Sequence, residues 1–275
     1  MMKKVLVALI AVVALVLQAP ASRACTALMI TDTKGNAYSG KTMEYAVPLP
    51  FEMTYVPAGT KVNSVAPGSK PGFSFETKYP VLGVSANPGM GSGLNMMVES
   101  ANDQGLSLST NELPNSQSPT GAGSDPAKAL ASTDLALYLL GNFKSVAEVK
   151  AALKSDDVSV WLPEIPIVGN LVAPFHYILW DKTGVGIVIE FLDGKMNVHD
   201  NPVGVVTNAP DFPWHLKNLN NYAQLTNLDK NTGQFGKLEV GAPDSGNALA
   251  NVPSSQISAG RFVKAAYYTQ FVRKA

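Results

Sequence analysis

Cysteine is the scarcest chemistry in this sequence: Cys25 is the one thiol among 275 residues. A lone thiol rules out an intramolecular disulfide and a cysteine-ligated metal site, each of which needs a pair or more. Histidine is nearly as rare. His176, His199 and His215 are scattered without metal-binding spacing, so neither a metal nor a cofactor is expected. Charge is also sparse, at 15% of residues, with 21 basic against 21 acidic side chains and no block of one sign. That excludes the basic face that nucleic acid or an anionic lipid surface would require. Long apolar runs are confined to residues 5–17, short of the roughly 20 that a bilayer-spanning helix needs. No stable membrane insertion is expected.

What is present concentrates at one place. Lys3 and Lys4 precede the apolar run, and Ser22 and Ala24 follow it with the small-residue spacing of an export cleavage site. Residues 1–24 read as a removable signal peptide, so the mature protein begins at Cys25 and is exported, to the periplasm or beyond the cell. An N-terminal cysteine carries two useful groups. Its thiolate is a nucleophile, and its free α-amine, with an ordinary pKa of roughly 7.7–8.0, can take the thiol proton, so a separate catalytic histidine is unnecessary. The other readings of a first mature cysteine are a lipid attachment point and an incidental buried residue. Arg23 and Ser22 depart from the pattern that lipidation favours.

The remaining chain, residues 25–275, suits a single domain. Residues 26–30 and 37–41 alternate around the turn residues Asp32 to Asn36, which predicts a hairpin led by Cys25. Residues 46–72 read as irregular or edge structure, and strands follow over 81–85, 93–99 and 106–110. Asp125 and Pro126 predict a helix start, with the helix running on past Leu139. Ser145 and Glu148 form a capping box for a second helix. Strands at 176–180, 186–191, 195–199 and 203–207 precede helices at 212–222 and 257–271. The loops at 46–72 and 113–124 are expected to shape the substrate pocket. His176, His199 and His215 read as structural, and Met90, Met96 and Met97 as core or pocket wall.

Several segments carry a resemblance to a known family. They are Cys25-Thr26, Gly40-Lys41-Thr42-Met43-Glu44-Tyr45, Ala101-Asn102-Asp103-Gln104-Gly105-Leu106 with Ser109-Thr110-Asn111, the long stretch from Val206 to Tyr222, and Gly260-Arg261-Phe262-Val263-Lys264-Ala265-Ala266. In this order they resemble the choloylglycine hydrolase family, which includes bile salt hydrolases and penicillin V acylases. The resemblance implies an α+β fold, the four-layer αββα sandwich of N-terminal-nucleophile hydrolases. It implies Cys25 as nucleophile, Asn208 as the oxyanion-hole asparagine, Asn111 as the residue whose main-chain N–H completes that hole, and Arg261 as the cation near the thiol.

Lys41 and Glu44 stand where the family usually has Arg and Asp. The two are expected to form a re-tuned pair beside the α-amine, or to mark slower turnover or another substrate, since Lys lacks the planar fork of Arg. Family members generally continue beyond the Arg261 helix, so the domain reads as incomplete at its C-terminus. The expected activity is hydrolysis of a linear, non-peptide amide through a Cys25 thioester. The substrate is expected to be a small molecule: penicillin V, a conjugated bile salt or an N-acyl-homoserine lactone. The competing expectation is an exported ligand-binding protein or lipoprotein with a weak or dead site. Homo-oligomerisation is left open.

Overall fold

The computed structural model describes residues 24–44, 49–166 and 169–274. The expected signal peptide lies outside the described residues except for Ala24. Two antiparallel sheets dominate. The smaller contains β1 (Ala24–Thr31), β2 (Ala37–Glu44) and, much later in the chain, β10 (Val205–Val206), in the order β10–β1–β2. The larger has seven strands: β3 (Phe51–Val56), β4 (Val81–Ala86), β5 (Met96–Asn102), β6 (Ser107–Glu112), β7 (Phe175–Trp180), β8 (Gly186–Leu192) and β9 (Lys195–Asp200). Each pairs with its sequence neighbours, so the sheet is an unbroken antiparallel meander.

The pleat explains how β7 serves two layers. Its six residues are all buried, and they alternate between faces. Tyr177 and Leu179 enter one core, together with Leu135, Leu139 and Leu140 of helix α1 (Ser132–Asn142) and Val149 of α2 (Val146–Lys154). Ile178 and Trp180 enter a second core with Ala27 of β1, Val205, Val206, Phe212 and Phe262. The last two belong to α3 (Phe212–Asn218) and α4 (Ser258–Phe271). Each such leucine or phenylalanine contributes about 1.5–3 kcal/mol by leaving water. The layers therefore run α4, small sheet, large sheet, α1 with α2: the αββα sandwich of the N-terminal-nucleophile hydrolases. Among the described residues, no helix is long and apolar enough to cross a membrane.

One sequence expectation is met in part and one needs correction. Residues 49–72 hold β3, an edge strand as one of the two readings had it, and most of a hairpin, Lys61–Ala66 with Lys70–Glu76. The helix predicted from Asp125 is interrupted. Asp125 does cap a short turn, Pro126–Lys128, accepting from the Ala127 N–H at 3.0 Å. Ala129–Ala131 then pairs in parallel with Ser159–Trp161, and α1 begins only at Ser132. The strand is wholly buried, and tertiary pairing overrides the helix preference of its alanines. The Ser145 cap forms as expected, its hydroxyl accepting from the Glu148 N–H.

Candidate active site

Cys25 is buried at the start of β1, opposite Met43 of β2. Its N–H donates to Asn208 Oδ1 at 2.9 Å. Asn208 lies two residues beyond the end of β10, so the pairing of β10 with β1 is what delivers the amide. Arg261, in the first turn of α4, closes the group. Nη1 donates to Cys25 O at 2.5 Å and to Thr26 Oγ1 at 2.8 Å, and Nη2 donates to Asn208 Oδ1 at 2.8 Å. The planar fork is used as only arginine can use it. Burial lowers the Arg261 pKa, while the Glu44 and Cys25 charges oppose that shift. The guanidinium therefore places a cation against the Cys25 main chain. Asn208 Nδ2 gives one hydrogen to Glu112 O at 2.8 Å. The second hydrogen of that amide nitrogen is left for a ligand.

Lys41 lies two rungs along the hairpin, opposite Ala27, on the same face as Cys25. Its ammonium reaches into the large sheet. Strands β5 and β6 pair only at Glu99↔Ser109, Ser100↔Leu108 and Ala101↔Ser107. The next rung would join Val98 and Thr110, and Lys41 Nζ occupies it, donating to Thr110 O and, at 3.4 Å, to Val98 O. Lys41 thus wedges the two strands apart. Burial lowers its pKa, against the charges of Cys25 and Glu99. Burial in turn raises the Glu99 pKa, while the Ser109 hydroxyl and Lys41 favour its charged form.

A cavity of about 60 Å³ opens at this split. Cys25, Lys41, Thr110 and Glu112 meet an apolar wall that includes Phe51, Met96, Val98, Ile165 and Phe175. The residue 46–72 region contributes Leu49 and Phe51, but the 113–124 loop contributes none of the lining residues. Met96 belongs to the wall, whereas Met97 is core.

Three predicted site residues come together at Cys25: Asn208, Arg261 and, across the cavity, Lys41. Two do not take the places expected. Lys41 and Glu44 are three apart on one strand, so their side chains leave opposite faces and form no pair. Glu44 points outward, where its carboxylate accepts from Thr42 Oγ1 at 3.1 Å and acts on Arg261. Its main-chain oxygen faces Cys25 Sγ at 3.9 Å.

Asn111 also differs. The Leu113 N–H donates to Pro174 O at 2.6 Å, which sets the alternation of β6: Asn111, opposite His176, turns its own N–H and C=O toward β7. Glu112 turns its main chain the other way, to Asn208. The Asn111 side chain supports the site from behind, donating to Thr207 O at 2.9 Å.

Sequence reasoning passed over Glu99, Glu112 and Glu190. The signal for Glu190 was available: it is the one charged residue in the apolar run Gly186–Leu192. The histidines are buried or half-buried, as read. His215 does more than pack, however: it stacks on Phe262 with ring centroids 4.6 Å apart, and its Nε2 meets Asn208 O at 2.8 Å.

The family model for linear amide C–N hydrolases of the choloylglycine hydrolase family matches residues 25–275. The conjugated bile acid hydrolase of Lactobacillus acidophilus is 32% identical over 248 residues, covering 88% of this chain and 73% of that protein. The penicillin V acylase of Pectobacterium atrosepticum is 26% identical over 266 residues, covering 96% of this chain and 64% of the acylase. The crystal structure of the conjugated bile acid hydrolase from Clostridium perfringens superposes with a TM-score of 0.75 at 28% identity, covering 90% of this chain and 72% of that one. Fold and sequence agree, and the chain belongs to the choloylglycine hydrolase family of linear amide C–N hydrolases.

Proposed function

We propose that this protein is exported, that signal removal makes Cys25 its first residue, and that Cys25 hydrolyses an amide whose acyl half is apolar. The observation that carries this reading is the set of hydrogen bonds on Cys25. Its nitrogen is bonded to Asn208 Oδ1, its carbonyl is gripped by Arg261, and its thiol lies beside an apolar cavity. With the preceding peptide bond gone, that nitrogen becomes an amine held in place to receive the thiol proton.

The thiolate attacks the substrate carbonyl. As the carbon becomes tetrahedral, its oxygen gains charge and meets the remaining hydrogen of Asn208 Nδ2. A donor of this kind is worth roughly 2.7–4 kcal/mol. The protonated amine then passes its proton to the leaving nitrogen, the C–N bond breaks and a thioester remains. Water, deprotonated by the same amine, attacks the thioester and releases the acid.

The walls favour an apolar acyl group, which penicillin V, short N-acyl-homoserine lactones and conjugated bile salts all offer. The test is an intact mass of the exported protein followed by turnover of all three substrates. An unmodified chain beginning at Cys25, releasing acid from an amide and inactive as Cys25→Ala, is the expected result. A lipid on Cys25, or a chain beginning elsewhere, removes the amine and overturns the mechanism.

A further inference from the structure

We propose that Asp134 is a positioning residue for the acyl cavity: from the first turn of α1 it pins residues 87–95 through Ser92, and so sets where Pro88 and Met96 stand in the wall beside Cys25. This rests on the reading above, in which that cavity seats the acyl half. Residues 87–95 join β4 to β5, and Ala86, Pro88 and Met96, at the two ends of that connection, line the cavity. Asp134 is 3% exposed and stands outside the lining, so it acts on the wall only through the loop.

Side chains hold this loop. Among the described residues, no main-chain to main-chain hydrogen bond reaches residues 88–94. The Gly89 N–H donates to Asn87 Oδ1 at 2.8 Å, a tie within the loop itself. Ser92 crosses to α1: its hydroxyl and its N–H both donate to Asp134 Oδ1, at 2.6 and 3.3 Å. Beside it, the Thr133 hydroxyl makes a weak contact with Met90 Sδ at 3.9 Å. Asn95 Nδ2 donates to Glu52 Oε2 at 3.1 Å and to Ser85 Oγ at 3.2 Å, which fixes the entry to β5. Gly91 shows how close the loop comes to the helix. Its φ is +100°, and a Cβ there would lie 2.8 Å from Thr133 Oγ1 and 3.3 Å from Asp134 Oδ1. The backbone lies against α1 because that residue has no side chain.

The other oxygen of the carboxyl is seated in the body of the protein. Asp134 Oδ2 accepts from Ser64 Oγ at 2.6 Å, and Ser64 Oγ accepts in turn from the Ala131 N–H at 2.9 Å. Ser64 belongs to the hairpin strand Lys61–Ala66, and Ala131 ends the buried strand that leads into α1. One oxygen therefore faces the core while the other holds the loop. Burial raises the Asp134 pKa, against the hydrogen bonds from Ser64 and Ser92. The N-terminus of α1 favours an acidic side chain in its first turn. Burying a polar group costs free energy unless its atoms are bonded, and here both oxygens are. What the carboxyl adds over an apolar contact is direction: it fixes Ser92, and with it the path of the chain from Pro88 to Met96.

The test uses the mature full chain labelled at its methionine methyl groups, with the Met96 signal assigned by Met96→Leu. Ser92→Ala removes the pin at a half-buried loop position and leaves Asp134 and Ser64 in place. It is expected to shift the Met96 methyl signal and to speed amide exchange in residues 89–94. Its KM should rise about fivefold with kcat held within about twofold, for whichever of penicillin V and a glycine-conjugated bile salt the wild type hydrolyses. Gly91→Ala, which pushes the loop off the helix, should act in the same direction. Alkylation of Cys25 by iodoacetamide should keep its wild-type rate in both, because so small a reagent does not need the acyl wall. Ser64→Ala removes the other bond of the same carboxyl. It is expected to lower Tm and to leave KM and the Met96 signal at their wild-type values. An unmoved Met96 signal or an unchanged KM in Ser92→Ala overturns the proposal. So does a Ser64→Ala protein that shifts both as far, since Asp134 would then support the fold alone. A wild-type protein without turnover would sink the hydrolase reading, and the Met96 signal with the exchange rates would then decide whether Asp134 sets the wall.

Discussion

The turn that carries Asn208 is held differently on its two sides. On the side of Cys25 the grip is a guanidinium, which stays charged at any working pH: Arg261 touches Cys25, Thr26 and Asn208 together. On the far side the grip is a buried set of hydrogen bonds among His176, Glu190 and His215. The guanidinium touches the Cys25 main chain itself, and the histidines sit one layer back, against Thr207 O and Asn208 O. Lys41 belongs to neither side. It is a cation that can be neutralised, wedged into the sheet opposite the thiol, in a place where an arginine would carry a fixed charge.

Substitutions can sharpen that contrast. The largest effect is expected for Asn208→Ala, which removes the oxyanion donor and also the acceptor shared by Cys25 and Arg261. Steady-state kinetics on a linear amide should show kcat lower by roughly 10²–10³. A loss below about tenfold would mean that the oxyanion is held elsewhere. Arg261→Lys keeps the charge and loses the fork, and is expected to lower kcat/KM about tenfold, the weight of one or two charge-assisted bonds. Equal activity in that variant would reduce Arg261 to a point charge and erase the difference between the two sides.

The smallest effect is on stability. The folded protein disfavours protonated Lys41, whereas the unfolded chain keeps that proton up to the ordinary lysine value of 10.5. Between the lowered folded pKa and that value the unfolded state binds more protons, so stability rises with pH across this window. Thermal unfolding followed toward pH 10.5 should show the rise in the wild type and a flatter curve for Lys41→Met. Parallel curves would mean that Lys41 keeps its proton as readily in the fold as outside it.

Much of this was legible in the residues alone, for reasons that are local. The Asp32 turn, the Ser145 cap and the strands β7 and β8 depend on neighbours in sequence, and they form as read. The failures have non-local causes. Ala129–Ala131 is a strand because Ser159–Trp161 lies beside it. Lys41 is buried because two strands part around it, which no sequence spacing announces. The separation of Lys41 from Glu44, by contrast, needed only the two-residue period of a strand. So did the assignment of Asn111, once its partner on β7 was known. The Glu190 layer could be found from a carboxylate inside an apolar run, but its partners could not.

The large sheet joins only consecutive strands, while Cys25 meets Asn208 and Arg261 across 183 and 236 positions. A polypeptide emerging from its point of synthesis can close the whole meander once Asp200 is out, because local pairings carry a small loop-closure cost. The strand of Cys25 must wait for β10 and for the helix that brings the guanidinium. The surroundings of the thiol are therefore completed late, by segments far along the chain, over a sheet that can already stand.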